Sequence, residues 1–243
     1  MADLTGLNAV ITGAAGGIGA AMAERFAAAG ARLALVDIND AGALAARLDP
    51  GHRAHALDLE DPDAIAETTA RIGAEMGIDI LVNNAGLGIV FPADDPRIED
   101  WDRTLRINLR GPWLMSAAAL PFLKATGRGR IVNVASQAGV VAIEDHAAYG
   151  ASKAGLVLLT RVLALEWARY GITVNAIAPT VVETPMALVG WAGEKGESAK
   201  REIPVGRFAQ PSEIAAAAVY LASGDAGIIT SETLMADGGF TIR

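Results

Sequence analysis

The sequence predicts an α/β protein built on a mainly parallel sheet covered by helices on both faces, and three observations predict it. Short β-rich apolar runs alternate with longer helix-compatible segments along the chain. A glycine-rich turn separates the first such run from the first helical segment. The residues with chemistry to offer follow the ends of the apolar runs, where ligands bind in open α/β sheets.

The β-rich runs are Ala9–Thr12, Arg32–Val36, Ala54–Leu57, Ile80–Val82, Arg130–Val134, Thr173–Ile177 and Thr233–Ala236. Between them lie helix-compatible segments at Gly17–Ala29, Asp40–Leu48, Asp61–Met76, Ile98–Lys124, Tyr149–Tyr170 and Ser212–Ala222. This alternation implies βαβ units, hence parallel strands buried on both faces. Asp61-Pro62 suits a helix start, with proline in the first turn, and Ser212 followed by Glu213 suggests another cap. No composition shift or internal repeat divides the chain, so residues 1–243 read as a single domain. Pro185–Gly206 is the least regular stretch, carrying Gly190, Trp191, Gly193 and Gly196. A glycine-bearing segment of this length reads as a lid or binding loop, with Trp191 as its candidate shield.

Composition narrows the function. The 243 residues carry a net charge of −8, which argues against non-specific nucleic-acid binding and anionic membrane surfaces. Without cysteine there is no disulfide, thiolate nucleophile or sulfur-ligated metal. No His/Asp/Glu grouping has metal-ligand spacing, so no catalytic metal is expected. The start of the chain does not read as a secretory signal, and the apolar stretch Leu156–Trp167 is interrupted by Arg161. A soluble cytoplasmic protein is the expectation.

In Thr12-Gly-Ala-Ala-Gly-Gly-Ile-Gly19, glycines allow a tight turn and close approach of a pyrophosphate, which rests on the following helix N-terminus. Gly13, Gly17, Ile18 and Gly19 are the candidate contacts, though the spacing is not G-x-G-x-x-G. Asp37 ends the second run, near the expected distance of about 20 residues beyond the turn. Its carboxylate can accept from both hydroxyls of an adenosine ribose and would repel a 2′-phosphate. Neither Gly16 nor the adjacent Ile38 supplies a compensating charge, so the pattern reads as NAD over NADP.

Tyr149 and Lys153 stand four apart near the start of a helix and share one face. A free phenol, with a pKa of about 10, is a poor base at neutral pH. A cation about 4 Å away, at an effective dielectric of about 20, favours the phenolate by roughly 4 kcal/mol before lysine desolvation is subtracted. Such a pair suits general acid/base work. A lone Tyr-x-x-x-Lys occurs by chance in many helices, and its company gives it weight. Ser136 follows the run Arg130–Val134, and Asn83-Asn84-Ala85-Gly86 ends the run before it, so a doubly wound sheet brings all of these to one crevice.

Together these residues resemble the short-chain dehydrogenase/reductase family. The resemblance covers nearly the whole chain and rests on the glycine turn, Asp58-Leu59, Asn83-Asn84-Ala85-Gly86, Asn108, Ser136, Tyr149-x-x-x-Lys153, Asn175 and Pro179. It implies a single-domain Rossmann fold with a seven-stranded parallel sheet and a homotetramer, with Asp237-Gly238-Gly239 near an interface. It also implies roles. Ser136 orients the substrate oxygen and Tyr149 exchanges its proton. Lys153 holds the nicotinamide ribose and lowers the phenol's pKa, while Asn108 supports a proton relay through water. Asp58 and Leu59 contact adenine, and Asn84, Ala85 and Gly86 line the cofactor cleft. Pro179, Val182 and Thr184 hold the nicotinamide end. Two departures stand out: Thr180 replaces a common glycine, and Ala135 replaces a serine often found before Ser136.

The resulting expectation is an NAD-dependent oxidoreductase acting on a secondary alcohol, with polyols and sugar-derived acids as substrate classes. Gln137, Glu144 and His146 would make the pocket polar, although His146 also fits an ordinary surface loop. His52 and His55 read as solvated, and Trp113 and Trp167 as core or interface residues. One alternative is a β-ketoacyl carrier-protein reductase. Such enzymes favour NADP and dock an acidic carrier through basic residues; Arg130 matches one such position, but Tyr170 occupies the other. Another is a non-catalytic NAD-binding regulator, which would not need the set Asn108, Ser136, Tyr149 and Lys153.

Overall fold

The computed structural model describes residues 2–243, apart from the side chain of Met186. Seven strands, β1 Asn8–Thr12, β2 Arg32–Asp37, β3 Arg53–Ala56, β4 Ile80–Asn83, β5 Arg130–Val134, β6 Thr173–Pro179 and β7 Thr233–Ala236, form one parallel sheet in the order 3-2-1-4-5-6-7. The chain builds outward from β1 in one direction, then returns to add β4 on its other side. The expected doubly wound seven-stranded fold is the one observed.

Alternation within the strands shows why both faces need cover. Ile11, Leu33, Leu35, Val82 and Val134 face one apolar cluster, and Val10, Ala34, Val36, Leu81 and Ile131 the other. Helices α1 Gly17–Ala28, α2 Gly42–Leu48 and α9 Pro211–Ala222 cover the first face, where Met22 and Phe26 meet Ile214 and Ala218. The second is covered by α3 Pro62–Met76, α5 Gly111–Thr126 and α6 Ala147–Trp167 through Ile65, Ile72, Met115, Leu123 and Leu163. Two short helices, α7 Pro185–Gly190 and α8 Glu194–Arg201, lie between β6 and α9.

Several local expectations change. The segment 98–124 is not one helix: α4 Ile98–Leu105 passes into a π-helical turn, Arg106–Arg110, before α5 begins. Pro112 has no N–H for the Asn108 carbonyl four residues back, and the helix widens there. The cap of the last long helix is Gln210 rather than Ser212; the Glu213 carboxylate accepts the Gln210 backbone N–H at 2.8 Å, with Pro211 as the first helical residue. The stretch 185–206 is largely helical, since Thr184 caps α7 and acidic residues open α8. His52 and His55 are half-buried, and His52 Nδ1 accepts the Leu33 N–H at 3.0 Å. Burial lowers both imidazole pKa values. Residues 147–170 are long and apolar enough by length and composition to cross a membrane, contrary to expectation, but Leu156, Leu163 and Trp167 are buried in this fold.

The α3–α5 contact depends on Gly73, where a methyl group would overlap the Phe122 ring. Gly73→Ala should therefore lower stability by about 1–3 kcal/mol, despite alanine's better helix propensity. Urea melts would check this, and Phe122→Leu should recover part of the loss in the double variant.

Candidate active site

Parallel pairing sends the carboxyl end of every strand to the same edge, and the order in which strands are added reverses between β1 and β4. Thr12 and Asn84 bind that gap. Thr12 Oγ1 accepts the N–H groups of Asn84 and Ala85 at 3.0 and 3.1 Å. Asn84 Nδ2 donates to the carbonyls of Thr12 and Gly13 at 3.0 and 3.1 Å. Asn84 thus braces the glycine turn as well as lining the cleft.

The turn fits a pyrophosphate. Gly13 has φ +66°, and a methyl there would stand 2.7 Å from Ala85 Cα. At Gly19 a methyl would overlap the Gly13 carbonyl, so helix and turn meet backbone to backbone. Helix α1 starts without a side-chain cap or an acidic residue in its first turn, leaving its N-terminal dipole free for an anion. Thr184 lies over the turn, 3.1 Å from where a methyl on Gly17 would be. At the end of β2, Asp37 accepts the N–H groups of Ala15 and Asn39, each at 2.9 Å, while Ile38 is exposed. Leu59 is buried beside Gly111, and Asp58 Oδ1 turns back to the Glu60 N–H.

Across the gap, β5 and α6 present the reactive set. Lys153 is buried and donates to the Val134 carbonyl at 2.8 Å. Its burial brings its pKa down to about 8. Burial raises the phenol of Tyr149, against a downward pull from its hydrogen bond with Ser136. Lys153 Nζ stands 5.7 Å from the Tyr149 ring centroid and is engaged with β5. Desolvation therefore dominates both groups in this state. Asn108, on the π-helical turn, accepts the Leu87 N–H at 2.7 Å and donates to the Leu87 carbonyl and Ser152 Oγ. A methyl on Gly86 would lie 3.1 Å from Asn108 Oδ1 and 3.5 Å from Lys153 Nζ, so these three meet.

The outer candidates divide. His146 packs edge-to-face on Tyr149 at 5.9 Å, and Gln137 is buried just after Ser136, whereas Glu144 is exposed. Trp191 rests edge-to-face on Phe208 at 6.0 Å. Val182 pairs with Ala209, and Pro179 closes β6. Arg130 opens β5, at the edge of the sheet opposite Ser136, and donates to the carbonyls of Arg128 and Gly129.

Three contributors were not foreseen. Ser152 Oγ donates to the Tyr149 carbonyl at 2.7 Å and accepts from Asn108. Thr12 was visible in the glycine motif without its bracing role. Phe91 pairs with His146 across two loops, its N–H donating to the Asp145 carbonyl at 2.8 Å, a contact for which no local pattern exists.

The chain is similar to known proteins along nearly its whole length. A family model described as enoyl-(acyl carrier protein) reductase matches residues 13–241. D-threitol dehydrogenase of Mycolicibacterium smegmatis is 49% identical over 99% of this chain and 95% of its own. The chain belongs to the short-chain dehydrogenase/reductase family. NAD-dependent glycerol dehydrogenase of Listeria innocua is 46% identical over 99% of this chain and 96% of its own. A solved structure from Beutenbergia cavernae, described as an NAD(P)-dependent gluconate 5-dehydrogenase with NADP at low occupancy, superposes with a TM-score of 0.94. It is 36% identical, with 99% of each chain covered. The activity class is oxidoreductase, with a nicotinamide cofactor.

The buried lysine makes a testable demand on stability. Between about pH 8 and 10.5 an unfolded Lys153 keeps a proton that the folded one has lost, so stability rises with pH across that window. The increment is about 3 kcal/mol at most. Lys153→Met should lack it, as denaturant melts from pH 7.5 to 9.5 would show, below the range where the raised Tyr149 phenol opposes it.

Proposed function

We propose that this chain is an NAD-dependent dehydrogenase oxidising a secondary alcohol of a polyol or sugar-derived substrate, with Tyr149 as its proton-transfer residue. The observation carrying this reading is the meeting of Ser136, Tyr149, Lys153 and Asn108 across one crevice from the glycine turn and Asp37. Relatives named for D-threitol and glycerol support the polyol class. A bound nicotinamide supplies the acceptor for the hydride leaving the carbinol carbon.

The chain's own residues do the rest. Ser136 holds the alcohol oxygen beside the phenol, and the O–H proton passes to Tyr149 as the carbon becomes a carbonyl. Lys153 holds the nicotinamide ribose and favours the phenolate by its charge. Asn108 keeps the Gly86–Leu87 backbone against the site and passes protons on through water. Ile18, Asp58, Leu59 and Ala85 complete the cofactor's wall, and Pro179, Val182 and Thr184 its nicotinamide end. Residues 185–206 close over the substrate with Trp191, excluding water. The exposed apolar faces of Trp113, Leu158, Val162 and Leu165 suit burial between copies in a homotetramer.

Tyr149→Phe should cut turnover by roughly 10²–10⁴-fold while NAD affinity, measured by titration calorimetry, stays near normal. In the unmodified enzyme, oxidation should speed up as pH rises, because burial lifts the phenol that must lose its proton. Asp37 should set cofactor choice. Asp37→Ala should weaken NAD and admit NADP, and adding Ile38→Arg should extend the shift; a preference for NADP in the unmodified protein would refute the NAD assignment.

A further inference from the structure

Two buried polar atoms in the segments that leave the carboxyl ends of β5 and β6 have no hydrogen-bond partner among the described residues: Gln137 Oε1 and Thr180 Oγ1. Both residues are only 7% exposed. The last register pair of β5 and β6 is Val134 with Ile177, and Gln137 and Thr180 are each the third residue beyond it. Gln137 opens the short turn that follows β5 and Ser136, and Thr180 directly follows β6, so both leave the carboxyl edge of adjacent strands. Their backbones are held. The Gln137 carbonyl accepts the N–H groups of Val140 and Val141, and the Thr180 N–H donates to Ala236. The turn bearing Gln137 is pressed onto α6 so closely that a methyl on Gly139 would stand 2.7 Å from the Lys153 carbonyl carbon.

Buried polar groups are nearly always paired, so an orphaned couple at a reaction site points to a ligand. The chemistry of the two atoms says which. Gln137 Oε1 only accepts, while the Thr180 hydroxyl can donate as well as accept. A ligand hydroxyl answers both, giving its hydrogen to Gln137 and taking one from Thr180. A carbonyl could not satisfy Gln137, and an alkyl group would satisfy neither.

We propose that Gln137 and Thr180 together bind a second substrate hydroxyl, on the carbon next to the one oxidised, and make the enzyme selective for vicinal diols. The proposal rests on the reading of Ser136 and Tyr149 as the reacting pair. It gives the departure at Thr180 a purpose, since glycine there would offer no hydroxyl.

The test compares propylene glycol with isopropanol, which lacks the second hydroxyl. The ratio of kcat/KM for the diol over the monohydric alcohol should fall about tenfold or more in Gln137→Leu and in Thr180→Val. Thr180→Ser should retain most of the ratio. The double variant should lose less than the product of the two single losses, because both groups grip one hydroxyl. Independently of turnover, the diol should raise the melting temperature of the NADH complex more than isopropanol does, and both variants should lose that difference. An unchanged ratio would overturn the proposal, as would equal losses on both alcohols with weakened NADH binding, which would assign the pair to the nicotinamide. Turnover of isopropanol without any preference for the diol in the unmodified enzyme would overturn it while leaving the dehydrogenase reading intact. If neither alcohol is turned over, glycerol and D-threitol test the dehydrogenase reading, and inactivity on these as well sinks it. The melting comparison then decides for the pair, since persistence of the diol effect in the variants overturns it and its loss supports it.

Discussion

Parallel pairing of β4 against β1 is the constraint on which the rest of this molecule depends. Because β2 and β3 are added on one side of β1 and β4 to β7 on the other, the connections leaving β1 and β4 run to opposite faces. Their carboxyl ends part and open a crevice. Thr12 and Asn84 hold the crevice at a set width with four hydrogen bonds. The glycines are the steric counterpart of those bonds. At Gly13 and Gly19 a side chain would displace the backbone contacts that give the turn its shape.

The second wall of the crevice is organised by burial of charge. Lys153 reaches from α6 to the Val134 carbonyl, through a region where Asn108, Leu87 and Ser152 exchange hydrogen bonds. An ammonium buried with one carbonyl partner is poorly compensated, which is why its pKa falls toward neutrality. A core built only for stability would put an apolar residue there. The surrounding polar set, from the asparagine pair Asn83–Asn133 through Thr160, ties β4, β5 and α6 together behind the reactive groups.

How far the sequence could be read follows from the range of each interaction. Strands such as Arg130–Val134 and Thr173–Pro179 announce themselves because burial on both faces requires continuous apolar runs. Asp61 with Pro62 marks a helix start because a cap is a local bond, and its side chain accepts the N–H groups of Asp63 and Ala64. Gln210 was missed since glutamine is an uncommon cap residue, while the Glu213 carboxylate that completes the box sits beside the more familiar Ser212. The site's members were legible as motifs, but their electrostatics were not. Spacing puts Tyr149 and Lys153 on one face and cannot show that the ammonium will be drawn to β5. His52 likewise looked solvated because its partner, the Leu33 N–H, belongs to the neighbouring strand.

The sheet also separates two kinds of selectivity. The carboxylate proposed to choose the cofactor, Asp37, ends β2 and is braced by the N–H groups of Ala15 and Asn39. The groups best placed to choose a substrate follow β5 and β6, beyond β1 and β4 from β2. The two regions are linked through strand pairing in the interior and, after β6, through Thr184 against Gly17 of the glycine turn. A change of polarity at Gln137 or Thr180 touches neither Asp37 nor a glycine of the turn, whereas one at Thr184 would bear on Gly17. The same reasoning explains why the departures from family pattern, at Ala135 and Thr180, fall where β5 and β6 end while the glycine turn is kept.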